Sequence, residues 1–135
     1  MEEIINAKCI QNNEIFNATL VLDEVGNTLL RISFNMNEIE LVKSAETYFE
    51  ALLKLRKDLE KLDIKLLLKG CAKNYYPSGM ILSMGEGRKA YKLVLHEQAK
   101  MDSLVDIFDE CTVDEYSTIA EQKAFNEEWF NSVKQ

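Results

Sequence analysis

The sequence predicts an α+β fold, in which an antiparallel sheet, made of an N-terminal meander plus strands after the first helix, carries two main helices. Residues 4–41 alternate apolar and polar side chains between short turns, which is typical of half-buried strands. Residues 44–62 and 118–133 instead repeat apolar side chains at helical spacing. The chain has 135 residues, of which 47% are hydrophobic, and this size predicts a single domain over residues 1–135.

The meander is defined by runs with a period of two residues. The runs cover residues 4–10, 16–22, 30–34 and 39–41, and polar turns at 11–13, 23–27 and 35–37 separate them. Short turns between alternating runs are typical of antiparallel hairpins. We therefore expect three or four strands.

The first helix is predicted over residues 44–62, with Ser44 as its N-cap. The remaining positions of this segment are mainly charged, so one face should pack on the sheet while the other is solvated. The apolar stripe consists of Ala45, Tyr48, Phe49, Leu52, Leu55, Leu59 and Leu62.

Beyond this helix the pattern is more varied. Residues 64–68 and 90–95 alternate and predict two further strands, whereas residues 71–88 have no sustained period and predict a long loop. The apolar run 104–108 fits either a strand or a helical turn. Thr118 and Glu121 match a capping box at the start of the last helix. One face of this helix carries Gln122, Phe125, Trp129 and Val133, where a tryptophan is typical of a core anchor.

Cysteine and histidine content argues against a metal site. Cys9, Cys71 and Cys111 are far apart in sequence, and His96 is the sole histidine, so neither a disulfide framework nor a metal cluster is predicted. Residues 85–90 match the letters G-x-G-x-x-A of a dinucleotide site, but a strand and not a helix is predicted to follow them. We expect no cofactor and identify no catalytic residue.

Charge is distributed unevenly along a chain whose net charge is −7. Residues 64–96 carry six bases and one acid, whereas the segments on either side are acidic. A negative surface disfavours general nucleic-acid binding, although the basic segment permits a local anion site. No apolar run approaches the ~20 residues that span a bilayer, and the first residues are acidic where a secretory signal is basic. These features predict a cytoplasmic protein without a membrane partner.

The loop at residues 71–89 is the candidate functional surface. It combines aromatic rings, bases and glycines, which suit an anion, an aromatic ligand or a protein contact. The alternative is a loop that only covers the sheet, with Tyr75 and Met80 packed in the core. The predicted binding residues are Lys73, Tyr75, Tyr76, Arg88 and Lys89.

Three motifs carry a resemblance to known proteins: YPSGM at residues 76–80, MGEGRKAY at 84–91 and LVDIFD at 104–109. In these motifs the chain resembles a group of small, uncharacterised bacterial proteins with a YPSGM, MGxGxKAY and LVDIFD pattern. The resemblance covers residues 64–130 and leaves the meander unmatched. It implies an association with polymorphic-toxin immunity and supplies no catalytic residue.

Two function hypotheses follow, with an oligomeric structural subunit as a third. The first is a non-enzymatic cytoplasmic binding protein, such as an immunity-type protein that neutralises a basic protein toxin. The second is a binder of a small anionic ligand or nucleotide, or an enzyme acting on one, through the loop 71–89. In the first case a basic partner would be steered electrostatically by Asp102, Asp106, Asp109, Glu110, Asp114 and Glu115.

Leu52 and Leu59 lie in the middle of the predicted apolar stripe. Replacing either by alanine should lower the free energy of unfolding by about 2–5 kcal/mol, because each truncation leaves a cavity in a packed core. Urea unfolding measures this loss. A loss below about 0.5 kcal/mol at both positions, which is the range of surface substitutions, would show that the stripe does not face the core.

Overall fold

The computed structural model describes residues 2–79, 82 and 86–134, and it confirms the α+β prediction. Residues 80, 81 and 83–85, which include Met80 and the start of the MGEGRKAY motif, lie outside the described residues. The strands are β1 (Glu3–Gln11), β2 (Glu14–Val25), β3 (Leu29–Met36), β4 (Ile39–Ala45), β5 (Lys65–Leu66), β6 (Tyr75–Tyr76), β7 (Lys89–Lys92) and β8 (Val105–Asp106). The two longer α-helices are α1 (Tyr48–Lys61) and α2 (Ile119–Val133), and Gly79 and Leu82 are also helical.

The larger sheet has five antiparallel strands in the order β4-β3-β2-β1-β5. The meander therefore contributes four strands, each paired with the next along the chain. Its first hairpin turns through Asn12 and Asn13 alone, and both have positive φ angles, 52° and 63°. Asparagine tolerates this left-handed region better than most residues, and two such residues suit the twist of a two-residue hairpin.

Helix α1 packs on one face of this sheet and buries Leu52, Leu55 and Leu59 in the core. The prediction of Ser44 as its N-cap is wrong. Ser44 is paired with Arg31 in the last part of β4, so its backbone is extended, and the helix begins later in the chain. Thr47 is the N-cap, and its hydroxyl accepts a hydrogen bond from the Glu50 backbone N–H at 3.1 Å.

The second, smaller sheet has the order β6-β7-β8. The predicted strand at 64–68 is confined to β5 because the chain then enters a 3₁₀ helix, Lys69–Cys71. Strand β7 ends earlier than the predicted run 90–95. For the run 104–108 both a strand and a helical turn were possible, and two of its residues, Val105–Asp106, form the strand β8. The capping box of α2 is confirmed, since Thr118 and Glu121 exchange hydrogen bonds of 3.1 and 2.8 Å.

A buried arginine joins the two helices. Arg56 of α1 is 2% exposed and Gln122 of α2 is 1% exposed. Arg56 Nη1 donates hydrogen bonds to Gln122 Oε1 at 2.6 Å and to the Gly70 carbonyl at 3.2 Å, and its Nη2 donates to the Ser117 carbonyl at 3.1 Å. No ion pair with Arg56 occurs among the described residues. Neutral oxygens therefore solvate this cation.

The Gln122 amide also holds the segment that leads into β6. Its Nε2 lies 3.0, 2.9 and 3.0 Å from the carbonyl oxygens of Gly70, Ala72 and Tyr75. One amide thus shares its two N–H groups among three backbone acceptors, of which the Gly70 carbonyl also accepts from Arg56. Arg56, Gln122 and these carbonyls are called the arginine–glutamine network below.

Replacing Gln122 by alanine should lower the free energy of unfolding by about 3 kcal/mol, because it leaves buried donors and acceptors unpaired. The exposed neighbour Lys123→Ala is the matched control and should change stability by less than about 0.5 kcal/mol. Urea unfolding of Arg56→Met, Gln122→Met and the double variant then tests the coupling. The double variant should lose clearly less than the sum of the single losses; additive losses would show that the two side chains do not act together.

Candidate functional site

The five predicted binding residues do not lie together. Tyr75 is buried, its ring lies 4.7 Å from Lys69 Nζ, and its hydroxyl is 3.5 Å from the same nitrogen. Lys73 Nζ lies over the Phe125 ring at 5.5 Å, on the side of α2. Lys89 is exposed at the start of β7. These positions face different neighbours, so they form no common pocket.

Arg88 is held by two carboxylates. Its Nη1 and Nη2 donate to Glu3 at 2.7 and 2.6 Å, and its Nε donates to Asp106 at 2.9 Å. The guanidinium carbon lies 5.4 Å from the centre of the Phe108 ring. The hydrogen bonds to Glu3 raise the pKa of Arg88 and lower the pKa of Glu3. An anionic ligand at Arg88 would have to displace these carboxylates.

The backbone before Arg88 explains how this side chain is placed. Gly87 has a φ of +69° and lies so close to Thr47 that a Cβ would be 2.6 Å from the threonine Cβ. The Tyr48 backbone N–H also donates to the Glu86 carbonyl at 2.6 Å. A glycine is therefore required where this segment passes the start of α1 and enters β7.

Of the five predicted residues, Tyr76 lines a well-defined cleft. This cleft, about 350 Å³ in volume, lies between the small sheet and α2 and is called the aromatic cleft below. No charged side chain lines it among the described residues. Its lining residues are Tyr76, Pro77, Ser78, Gly79, Tyr91, Leu93, Gln98, Ala99, Asn126, Trp129, Phe130 and Val133.

Two local regularities build the aromatic cleft. Tyr76 and Tyr91 are directly paired across β6 and β7, so both side chains project from the same face of the small sheet. On α2 the lining positions are 126, 129, 130 and 133, which share one face because the helix repeats every 3.6 residues. One wall is thus a strand pair and the other is a helix face.

Hydrogen bonds fix the chain that closes one end of the aromatic cleft. Trp129 Nε1 donates to the Glu97 carbonyl at 2.9 Å, and the His96 backbone N–H donates to Ser132 Oγ at 2.8 Å. His96 adopts a positive φ of 70° at this turn. Trp129 is half-buried, and its indole N–H is held by this hydrogen bond while its ring lines the cleft. It therefore both stabilises the fold and contributes to the site.

The rim of the aromatic cleft exposes apolar side chains. Phe130 is 56% exposed and Met101 is 73% exposed. The Tyr91 hydroxyl lies 3.2 Å from Met101 Sδ, which places Met101 at the edge of the cleft. Burial raises the pKa of Tyr76, Arg56 opposes this effect, and the nearby charge of Glu127 adds to it. An acidic side chain thus stands beside an uncharged aromatic surface.

The cysteines offer no competing site. All three thiols are buried, and burial raises the pKa of Cys9 and of Cys111 to about 12 and also raises that of Cys71. Protonated buried thiols are poor nucleophiles at neutral pH. Within the described part of the chain, no group of three histidine, cysteine or acidic side chains could hold a metal ion, and no helix is long and apolar enough to cross a membrane.

Comparison with protein-family models and with curated protein sequences finds no match to this chain. The site is therefore assigned from its geometry. Sequence reasoning proposed Tyr76 and placed Trp129 on an apolar helix face, but did not select Tyr91 or Phe130 as site residues. Two features of the sequence could have indicated the cleft. Tyr76 and Tyr91 stand on either side of one loop, and positions 126, 129, 130 and 133 have helical spacing.

Arg88→Met should destabilise the protein by about 1 kcal/mol at pH 7, as expected for a partly exposed ion pair. Because Arg88 lowers the pKa of Glu3 below its ordinary 4.5, this contribution is fully present above pH 4.5. It is lost as the pH falls through the lowered folded-state pKa.

Urea unfolding of the parent and Arg88→Met between pH 7 and pH 3 measures the difference. The exposed neighbour Lys89→Met is the control, for which we expect little change at pH 7. A difference between the parent and Arg88→Met that stays constant down to pH 3 would contradict a role for Glu3.

Proposed function

We propose that this chain is a non-enzymatic binding protein, and that its aromatic cleft receives a side chain of a basic protein partner. The observation that carries the proposal is an uncharged cleft with four aromatic side chains, bordered by exposed Phe130 and Met101. Tyrosine and tryptophan in partly enclosed pockets are enriched among the residues that dominate binding energy at protein interfaces. The volume, about 350 Å³, is at the low end of small-ligand sites. It suits an anchoring side chain.

Charge supports a basic partner. The chain carries a net charge of −7, and Asp102, Glu127 and Glu128 are exposed on the segments that form the cleft or lie next to it. Among the six acids predicted to steer a partner, Asp106 and Glu115 are paired with Arg88 and Lys69, whereas the other four are exposed. Exposed acids of this kind raise association rates with a positive protein.

An immunity-type role is the specific form of the proposal. The aromatic cleft includes residues 76–79 of the YPSGM motif and Tyr91 of the MGEGRKAY motif. These motifs carry the resemblance to small, uncharacterised bacterial proteins, from which an association with polymorphic-toxin immunity is inferred. A protein that blocks a toxin needs a stable complementary surface and no catalytic group. A cleft anchored on a strand pair and a helix provides such a surface.

A small anionic ligand at the loop 71–89 has less support. Among the predicted cations, Arg88 already binds Glu3 and Asp106, and Lys73 Nζ lies over the Phe125 ring. Lys89 is exposed at the start of β7 and does not lie in a cleft with the other two. The lining of the aromatic cleft includes no base among its described residues.

The test begins with affinity purification of partners from the native host and identification by mass spectrometry. Phe130→Asp and Tyr91→Ala should each weaken binding of the purified partner at least tenfold, about 1.4 kcal/mol, because they alter the lining of the cleft. Val113→Asp, at an exposed valine outside the cleft, is the control and should bind as the parent does. Calorimetry gives the affinities, and thermal unfolding confirms that each variant is folded.

Association with the partner should also slow steeply as the salt concentration rises, because screening weakens electrostatic steering. Stopped-flow or surface binding kinetics measures this dependence. Unchanged affinity in both cleft variants would show that the interface lies elsewhere, and a flat salt profile would remove the electrostatic part of the proposal. For the immunity role, co-expression with the partner should restore growth that the partner alone prevents.

A further inference from the structure

We infer that the anchor in the aromatic cleft is the guanidinium group of an arginine of the partner, held by cation–π contacts with the cleft rings. This inference rests on the proposed function and adds the chemistry that the cleft recognises. It follows from the way the protein uses its other aromatic rings, from the amide oxygens of Asn126 and Gln98, and from the charge around the cleft.

The chain repeatedly pairs its own cations with its own aromatic rings. Four such pairs occur among the described residues, with the cationic atom 4.7 to 5.9 Å from the ring centre, within the ~6 Å over which cation–π attraction acts. The pairs are Lys65 with Tyr116, Lys69 with Tyr75, Lys73 with Phe125, and Arg88 with Phe108.

The rings of the aromatic cleft are different. No cation of the described residues lies over Tyr91, Trp129 or Phe130. Tyr76 packs edge-on against Phe49 at a centroid distance of 5.1 Å, and it too carries no cation from the described part of the chain. Apart from half-buried Phe16, the solvent-accessible rings that no described cation covers all line the cleft.

Two amide side chains of the cleft can accept hydrogen bonds from such a cation. The Asn126 side chain makes no hydrogen bond with another described residue, and Gln98 uses its Nε2 at 3.5 Å from the Val133 carbonyl. The amide oxygens of both thus remain acceptors within the described structure. A guanidinium has five N–H donors in its plane and can donate to amide oxygens while its face lies on a ring.

The charge around the cleft also favours a cation. Glu127 and Glu128 are exposed on α2 directly after the lining residue Asn126. Burial raises the pKa of Tyr76 most, and Arg56 lowers this pKa more than Glu127 raises it. Arg56, however, is buried in the arginine–glutamine network and does not line the cleft. The described lining contributes no positive charge that would repel an arginine. An arginine fits better than a lysine, because a guanidinium is less strongly hydrated than an ammonium and stacks on aromatic faces.

The sole tryptophan of the chain, Trp129, lines the cleft, so intrinsic tryptophan fluorescence reports on this site alone. The probe is N-acetyl-arginine amide, and N-acetyl-citrulline amide is its neutral control of nearly the same shape. The arginine probe should change the fluorescence in a saturable way and bind at least tenfold more tightly than the citrulline probe. Equal binding of the two would overturn the inference.

Variants then assign the binding to the rings. Tyr91→Leu and Phe130→Leu keep apolar volume but remove a π face, and each should weaken the arginine probe about fivefold. Glu127→Gln should weaken it about twofold. Phe125→Leu is the matched control, because Phe125 lies on the same helix but does not line the cleft. Unchanged binding in both ring variants would overturn the inference, as would tighter binding of tetramethylammonium than of the arginine probe.

These outcomes separate the inference from the proposed function. If the purified partner loses affinity for Phe130→Asp while the arginine and citrulline probes bind alike, the cleft is the interface but its anchor is not an arginine. If the partner binds Phe130→Asp and Tyr91→Ala as it binds the parent, the proposed function fails, whatever the probes show. In the supporting case, one arginine of the partner replaced by glutamine should reproduce the loss seen with Phe130→Asp.

Discussion

Arg56 is a cation in the core without a carboxylate partner among the described residues, and its requirement for hydrogen bonds constrains the surrounding chain. A buried charge is tolerated only where polar groups replace its hydration. The carbonyls of Gly70 and Ser117 and the amide of Gln122 provide this for Nη1 and Nη2, whereas Nε has no partner among the described residues. The backbone near Gly70 must also come close to α1, since a Cβ there would lie 2.5 Å from Leu52 Cδ2. The arginine–glutamine network therefore joins α1, the segment before β6 and α2.

The position of the aromatic cleft follows from this network. Gln122 lies in the first turns of α2 and binds the Tyr75 carbonyl, so the start of the helix and the start of β6 are held together. Ile119 strengthens this end, because its backbone N–H donates to Glu60 Oε2 of α1 at 2.8 Å. The later turns of α2 then run beside β6 and β7 and form the second wall of the cleft. A fixed wall favours binding because fewer side chains need to be ordered by the partner.

The elements that sequence predicted correctly are those with a local periodic signal: the four meander strands, α1, and α2 with its capping box. The prediction is wrong where contacts between distant parts of the chain determine the backbone conformation. Ser44 has the chemistry of a cap, but its pairing with Arg31 keeps it in a strand. Arg56 follows Leu52 by four positions and so lies on the apolar stripe, where its burial depends on nonlocal hydrogen bonds to Gln122 and the Ser117 carbonyl. The partner of Tyr76 could not be predicted, because a two-residue strand such as β6 has too few residues to show a period.

The basic middle segment shows why local composition alone is a weak guide to a site. Its bases predict an anion site, yet Lys69 and Arg88 form ion pairs with carboxylates from other parts of the chain. These two side chains hold loops and strand ends together. Because carboxylates balance their charges, they contribute little positive potential at the protein surface. The acids outside these pairs still give the chain its net charge of −7. An approaching protein thus meets an acidic surface, and the aromatic rings that no cation of the described chain covers lie in the cleft beside Glu127. Recognition of a basic partner is consistent with both features, whereas an anion at Lys69 or Arg88 would have to displace the carboxylates that pair with these two side chains.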